Sequence, residues 1–292
     1  MLSPHRESKS ENIFAIDSEK THLRRSKMSD SLNMMYMDDI AATNKVLLDA
    51  VSQDDPIVHM LICRSFVDAS ALTDLLRRHA RTLRCLDIEE ISFSGVENQK
   101  DANCMFETIF EALGGATGLE RLAILTSRDA ACRITRTDLL VNTMQLMPKL
   151  ANVQFCSVFT SEVDLNAAID SLHKVSQLIL HYEDAGSIQT LDAVTALVSL
   201  SFDSFTSIEI AGCPGMFKDS EANIKFCDAL IKCDDLEYVC ICENDLDEGN
   251  TNAMRNAFEA SKARKVIIST SQRSGHRPVP SDNVLAHGLF PK

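Results

Sequence analysis

The sequence predicts an α/β solenoid, a horseshoe of about eight strand–helix units with a parallel concave sheet. Three observations predict it. A short pattern with apolar residues at its first, fourth and sixth places recurs eight times between residues 55 and 270. The middle residues of successive copies lie 26, 36, 31, 25, 30, 31 and 27 positions apart. Each interval also carries apolar residues at helical spacing, so strand and helix alternate at a near-fixed period. One such unit has an apolar strand face and an apolar helix stripe and cannot bury both alone. Stacking the units buries them.

Taken in chain order, residues 1–37 are polar and are expected to be disordered or irregular. Ser26, after Arg24 and Arg25, is a phosphorylation candidate there. Residues 38–54 place Ile40, Asn44, Leu47 and Val51 on one helical face, which predicts a helix capping the solenoid. The solenoid itself is expected over 55–270. Its strand copies begin with Ile57-Met60-Ile62, Leu83-Leu86-Ile88, Leu119-Leu122-Ile124 and Leu150-Val153-Phe155. They continue with Val175-Leu178-Leu180, Phe205-Ile208-Ile210, Leu236-Val239-Ile241 and a weaker Ala263-Val266-Ile268. Alternation at the fourth and sixth places marks a strand with one buried face. Between the copies run the stripes: Leu72-Leu75-Leu76-His79, Phe106-Ile109-Phe110-Leu113, Leu139-Leu140-Thr143-Met144-Met147 and Leu165-Ala168-Ile169-Leu172. Leu191-Val194-Thr195-Val198, Phe226-Ala229-Leu230-Cys233 and Ala253-Met254-Ala257-Phe258 complete them. The tail, 271–292, carries turn signals in SGHRPVPSDN and is expected to be irregular.

The segment LEYVCICENDL matches the pattern L-x-x-L-x-L-x-x-N/C-x-L at every place, from Leu236 through Asn244 to Leu246. Phe205 to Cys213 supplies the alternative Cys at the ninth place, whereas Ser65, Ser127 and Glu183 stand there in other copies. On these residues the chain resembles leucine-rich repeat proteins, in particular the ribonuclease-inhibitor-like subclass. The resemblance implies the horseshoe fold and, most often, protein binding; fold alone does not fix function. It also brings in Ran GTPase-activating proteins, but no residue here can be carried over as their catalytic Arg or Asn. A ubiquitin-ligase substrate receptor is a further implied role, and the 50 residues before the repeats look too short for an F-box unit. The competing fold, a doubly wound sheet, would show a Gly-rich phosphate loop. Neither GxGxxG nor GxxxxGK[ST] occurs.

Composition narrows the partners. The 292 residues carry a formal charge of −13, which argues against nucleic acid or an anionic membrane surface. Aromatics make up 5% and Trp is absent, so the core must rest on aliphatic residues. No apolar run approaches the ~18–20 residues of a spanning helix. Ten cysteines scattered through apolar segments suit reduced thiols in the cytoplasm or nucleus. The expected partner is a protein, with no cofactor, no metal and a monomeric chain.

If the fourth and sixth places point inward, the third, fifth and seventh line the concave face. This row of candidate contact residues comprises His59 and Leu61, then Asp87 and Glu89, then Arg121 and Leu125. Asn152, Gln154 and Cys156 follow, then Gln177, Ile179 and His181, then Glu209. Tyr238, Cys240, Cys242 and Lys265 end it. Mixed polarity without a dominant charge suits protein contact. Arg121→Glu combined with Tyr238→Ala is expected to abolish binding and leave the fold intact.

Two constellations could carry chemistry. Cys240 and Cys242 point the same way, ~6.5–7 Å apart along the strand, which suits neither a direct disulfide nor a chelate without further ligands. Cys156 and His181 hold equivalent places on adjacent strands, ~5 Å apart, the start of a cysteine nucleophile site. No third, orienting group is visible for them. Glu243–Glu248 somewhat resembles a calcium loop but lacks its Asp-x-Asp-x-Asp-Gly order. These readings leave the chain as a module that binds a protein partner through the concave sheet and adjoining loops, with a cysteine-dependent enzyme as the contrasting alternative.

Overall fold

The computed structural model describes residues 10–16, 23–29, 34–38, 56–63, 66–94, 96, 98–126, 134–259 and 263–269. Among the described residues, eight parallel strands alternate with seven helices, as the repeat predicts. The strands are β4 (His59–Cys63), β6 (Cys85–Glu89), β8 (Arg121–Leu125), β9 (Asn152–Cys156), β10 (Gln177–His181), β11 (Ser207–Ala211), β12 (Tyr238–Cys242) and β13 (Lys265–Ile268). The helices are α1 (Ala69–His79), α2 (Gln99–Ala112), α3 (Thr137–Gln145), α4 (Glu162–Asp170), α5 (Ile188–Leu200), α6 (Ser220–Ile231) and α7 (Glu248–Phe258). Two-residue strands β5 (Phe66–Val67) and β7 (Ser92–Phe93) pair with each other.

Register confirms the pattern residue by residue. Met60 pairs with Leu86, Leu86 with Leu122, and Leu122 with Val153. The row continues through Leu178, Ile208 and Val239 to Val266. Except at the edge strand β13, where Val266 is half-buried, these residues and their sixth-place neighbours are buried in one continuous core. Parallel strands in register need the same inward positions at each step, because a one-residue slip would turn every apolar side chain to the other face. The helical stripes close the core from outside. In α7 the buried set is Thr251, Met254 and Phe258, while Ala253, expected in the stripe, is exposed. Six helices start at a side chain that accepts from its first turn: Asp68, Asn98, Ser161, Ser187, Asp219 and Asp247. His79 is buried at the end of α1, its Nδ1 accepting from Ile57 N at 3.3 Å. Burial holds its pKa below the usual value, which keeps the ring neutral and able to accept.

The N-terminal segment differs from expectation. Where an irregular chain was expected over 1–37, strands β1 (Ser10–Ile16), β2 (Leu23–Ser29) and β3 (Met34–Asp38) extend the sheet beyond β4. Strand β3 pairs in parallel with β4, Met35 opposite Met60 and Met37 opposite Ile62. Leu32-Met35-Met37 is thus a further copy of the apolar pattern, 25 residues before the first one recognised. Strands β1 and β2 pair antiparallel, the one such pairing among the described residues. The predicted helix over 38–54 and tail over 271–292 lie outside the described residues, apart from Asp38.

A second regularity has no apolar signature. The residue just after β6, β9, β10, β11 and β12 is left-handed in every case: Glu90, Ser157, Tyr182, Gly212 and Glu243, with φ between 49° and 67°. There the chain leaves the sheet for the convex side, and at the first four of these residues the N–H continues the ladder, as from Gly212 to the Cys242 carbonyl at 3.1 Å. The Tyr182 ring lies against Gly212, where a β-carbon would collide with it. Gly212→Ala therefore combines an unfavourable φ with a displaced ring, and is expected to cost ~1–3 kcal/mol in urea unfolding. In a Tyr182→Ala background the penalty should fall by more than ~0.5 kcal/mol. An equal penalty in both backgrounds would show that the ring does not press on the site.

Candidate functional site

The strands place all the predicted contact residues on the concave side, but burial divides them. Arg121, Leu125, Gln154, Cys156, Ile179, His181, Glu209 and Cys240 are buried. They were expected to be open to a partner, and the structure corrects this. Strands lie ~4.8 Å apart, close enough for side chains on one face to pack across them. The Arg121 Nε donates to both oxygens of Asp87, at 2.8 and 3.1 Å, and Nη2 to Gln154 Oε1 at 3.3 Å. Leu125 and Cys156 pack with Ala123, with Tyr182 against them. His181 Nε2 meets Glu209 Oε1 at 2.9 Å. The accessible remainder is His59, Leu61, Asp87, Glu89, Asn152, Gln177, Tyr238, Cys242 and Lys265. Most of these lie at the third place, towards the start of each strand.

Electrostatics follows this division. Burial raises the Asp87 pKa, and the Arg121 guanidinium opposes the shift. Lys265 Nζ stands 5.3 Å from the Tyr238 ring centroid, a cation–π arrangement at the C-terminal end of the face. The Tyr238 hydroxyl is pushed up, first by burial and then by Glu209.

The ninth place proves structural in the repeats of β10, β11 and β12. Asn244 is buried; its Oδ1 accepts from Cys213 N at 2.7 Å and its Nδ2 donates to the Ile210 carbonyl at 2.8 Å. Cys213 Sγ contacts the Leu180 carbonyl at 3.7 Å. Glu183, where the sequence departs from Asn or Cys, performs the same task. Its carboxylate accepts from Val158 N at 2.8 Å and Phe159 N at 3.1 Å, with no exposure at all. Residues 65 and 127 lie outside the described set.

The two chemical candidates also change. Cys156 and His181 are register partners, as the spacing implied. Glu209 supplies the orienting carboxylate that was not apparent from sequence, because it reaches His181 diagonally from β11. The thiol, however, is buried with Ala123 and Leu125. Cys240 and Cys242, placed ~6.5–7 Å apart by strand rise alone, bring their sulfurs to 3.8 Å, because the side chains lean together. The calcium-like stretch is the turn into α7, with Asp247 capping the helix through Asn250 N at 2.6 Å. Among the described residues no cluster of three or more His, Cys, Asp or Glu side chains is arranged to hold a metal, and no helix is long and apolar enough to cross a membrane.

A scan of protein-family models finds no match to the chain, and a search of curated proteins finds none either. Among solved structures, the chain is similar to the tropomodulin C-terminal domain of Caenorhabditis elegans, at 12% identity and a TM-score of 0.35. That alignment covers 66% of this chain and 92% of the other. At this level the similarity carries no argument about fold or function.

Proposed function

We propose that the chain is a protein-binding module of the leucine-rich repeat type, ribonuclease-inhibitor-like in its repeats, and not an enzyme. The observation that carries this reading is the division of the concave face. Its central polar groups are satisfied internally, Arg121 by Asp87 and His181 by Glu209. The accessible row, Asn152, Gln177, Ser207, Tyr238 and Lys265, offers uncharged hydrogen-bonding groups and ends in an aromatic–cation pair. A rigid polar strip with an amphipathic aromatic anchor suits a folded protein surface, where such anchors carry most of the binding energy. It lacks the Lys/Arg density that phosphate backbones need. The partner on this reading is a protein met in the cytoplasm or nucleus by a monomeric chain.

The test uses accessible residues only. Tyr238→Ala with Lys265→Glu is expected to remove a co-purifying partner, weakening capture at least tenfold, while the circular dichroism spectrum and urea midpoint stay within error. Unchanged capture by the double variant would rule out this end of the face as the contact surface.

A further inference from the structure

The Cys240–Cys242 pair carries an inference independent of partner binding. Both residues lie on β12, which is hydrogen-bonded to β11 on one side and β13 on the other. Their sulfurs are 3.8 Å apart, with Cys240 buried and Cys242 partly exposed. Opposite Cys242 on β11 is Ala211, and opposite Cys240 is Glu209.

Two fates for such a pair can be compared by geometry. A disulfide needs sulfurs ~2.05 Å apart, and α-carbons two residues apart in a strand already stand at the upper end of the range that a disulfide spans. Closing the remaining gap of roughly 1.8 Å would have to draw in a backbone held by ladders on both sides. A two-coordinate metal ion with bonds of ~2.3 Å needs sulfurs no more than ~4.6 Å apart. Side-chain rotation supplies an opening of less than ~1 Å without backbone movement.

Charge points the same way. Glu209 and Glu243 both push the Cys242 thiol up, after the hydrogen bond with Cys240 and burial. Cys240 moves down, chiefly through that same hydrogen bond. Cys85, Cys213, Cys227 and Cys233 all move up through burial, Cys85 and Cys227 to about 12 and Cys233 to about 11. The two sulfurs thus form a hydrogen-bonded pair with Glu209 and Glu243 opposing negative charge on it and Lys265 favouring it.

We propose that Cys240 and Cys242 form a two-thiolate site for a soft monovalent cation of the Cu(I) class. The ion forms one bond to each sulfur, the S–H bonds of both thiols break, and their protons leave to solvent; no electron changes hands. Thiolates select soft ions, and the site lacks the four ligands that zinc adopts in structural centres and the six or more oxygens that calcium needs.

The experiment titrates reduced full-length protein anaerobically with Cu(I) held by bathocuproine disulfonate, following loss of the chelator's colour. Wild type is expected to withdraw one equivalent more than Cys240→Ser or Cys242→Ser, while Cys104→Ser, at an exposed thiol, withdraws as much as wild type. In wild type the apparent affinity should rise at least tenfold per pH unit below neutrality, because binding displaces protons. That second readout holds even if a serine variant folds poorly. Equal withdrawal by folded wild type and both serine variants would overturn the proposal, as would withdrawal by wild type that does not change with pH.

Discussion

Glu183→Ala is expected to destabilise the protein by roughly 3–5 kcal/mol, a large share of the ~5–15 kcal/mol that holds a domain folded. The carboxylate is wholly buried and accepts from Val158 N and Phe159 N. Alanine leaves both N–H groups in the core without that acceptor and opens a cavity as well. A buried donor that loses its partner costs ~1–3 kcal/mol, and bonds to a charged acceptor fall at the upper end. Gln at the same place keeps one acceptor oxygen and turns an amide N–H towards the second donor, so its cost should fall below that of Ala. Because each repeat touches only its neighbours, the damage should appear first between β9 and β10. Urea unfolding checks the magnitude, and amide exchange checks the place: protection should drop at Val158 and Phe159 before it drops in α6. An Ala variant within ~0.5 kcal/mol of wild type would mean that water or another group satisfies the turn.

The strands were legible because burial of one face leaves a mark at fixed places, and the observed register joins those places one to one from Met60 to Val266. The first copy, Leu32-Met35-Met37, was missed because methionine has no marked strand preference and acidic residues follow it closely. The left-handed turns were invisible for a different reason. Gly212 alone has the residue type that this conformation favours; Glu90, Ser157 and Tyr182 are held there by the ladder they extend. Glu183 reads as a lost Asn when residue types are matched. It reads as a replacement once the role is defined as accepting backbone N–H groups. On the concave face, alternation settles which way a side chain points, but not what it meets. Arg121 finds Asp87 and His181 finds Glu209 diagonally across neighbouring strands, at positions that only the register brings together.

That difference reverses the expected outcome of one substitution. Arg121→Glu, chosen from sequence as a harmless probe of the contact surface, is instead expected to cost about 3–5 kcal/mol and to unfold part of the population at 37 °C. The Arg121 side chain is 8% exposed, and its guanidinium donates to both oxygens of Asp87 and reaches Gln154. The substitution removes those bonds and sets two carboxyls against each other where burial already raises the Asp87 pKa. Raised carboxyl pKa values mean that the folded state binds protons more tightly than the unfolded state. The variant's deficit should therefore be largest at neutral pH and shrink as pH falls through the carboxylate range and both groups become neutral. Lys265→Glu, on an exposed side chain, should change stability by less than ~0.5 kcal/mol at either pH. Urea midpoints for the two variants at pH 7 and pH 5 separate the cases. A deficit for Arg121→Glu that is small, or the same at both pH values, would place the guanidinium in water and return it to the contact surface. A large deficit that narrows in acid would show that the pair braces β6 against β8, so that loss of a partner in that variant reports the fold and not the interface.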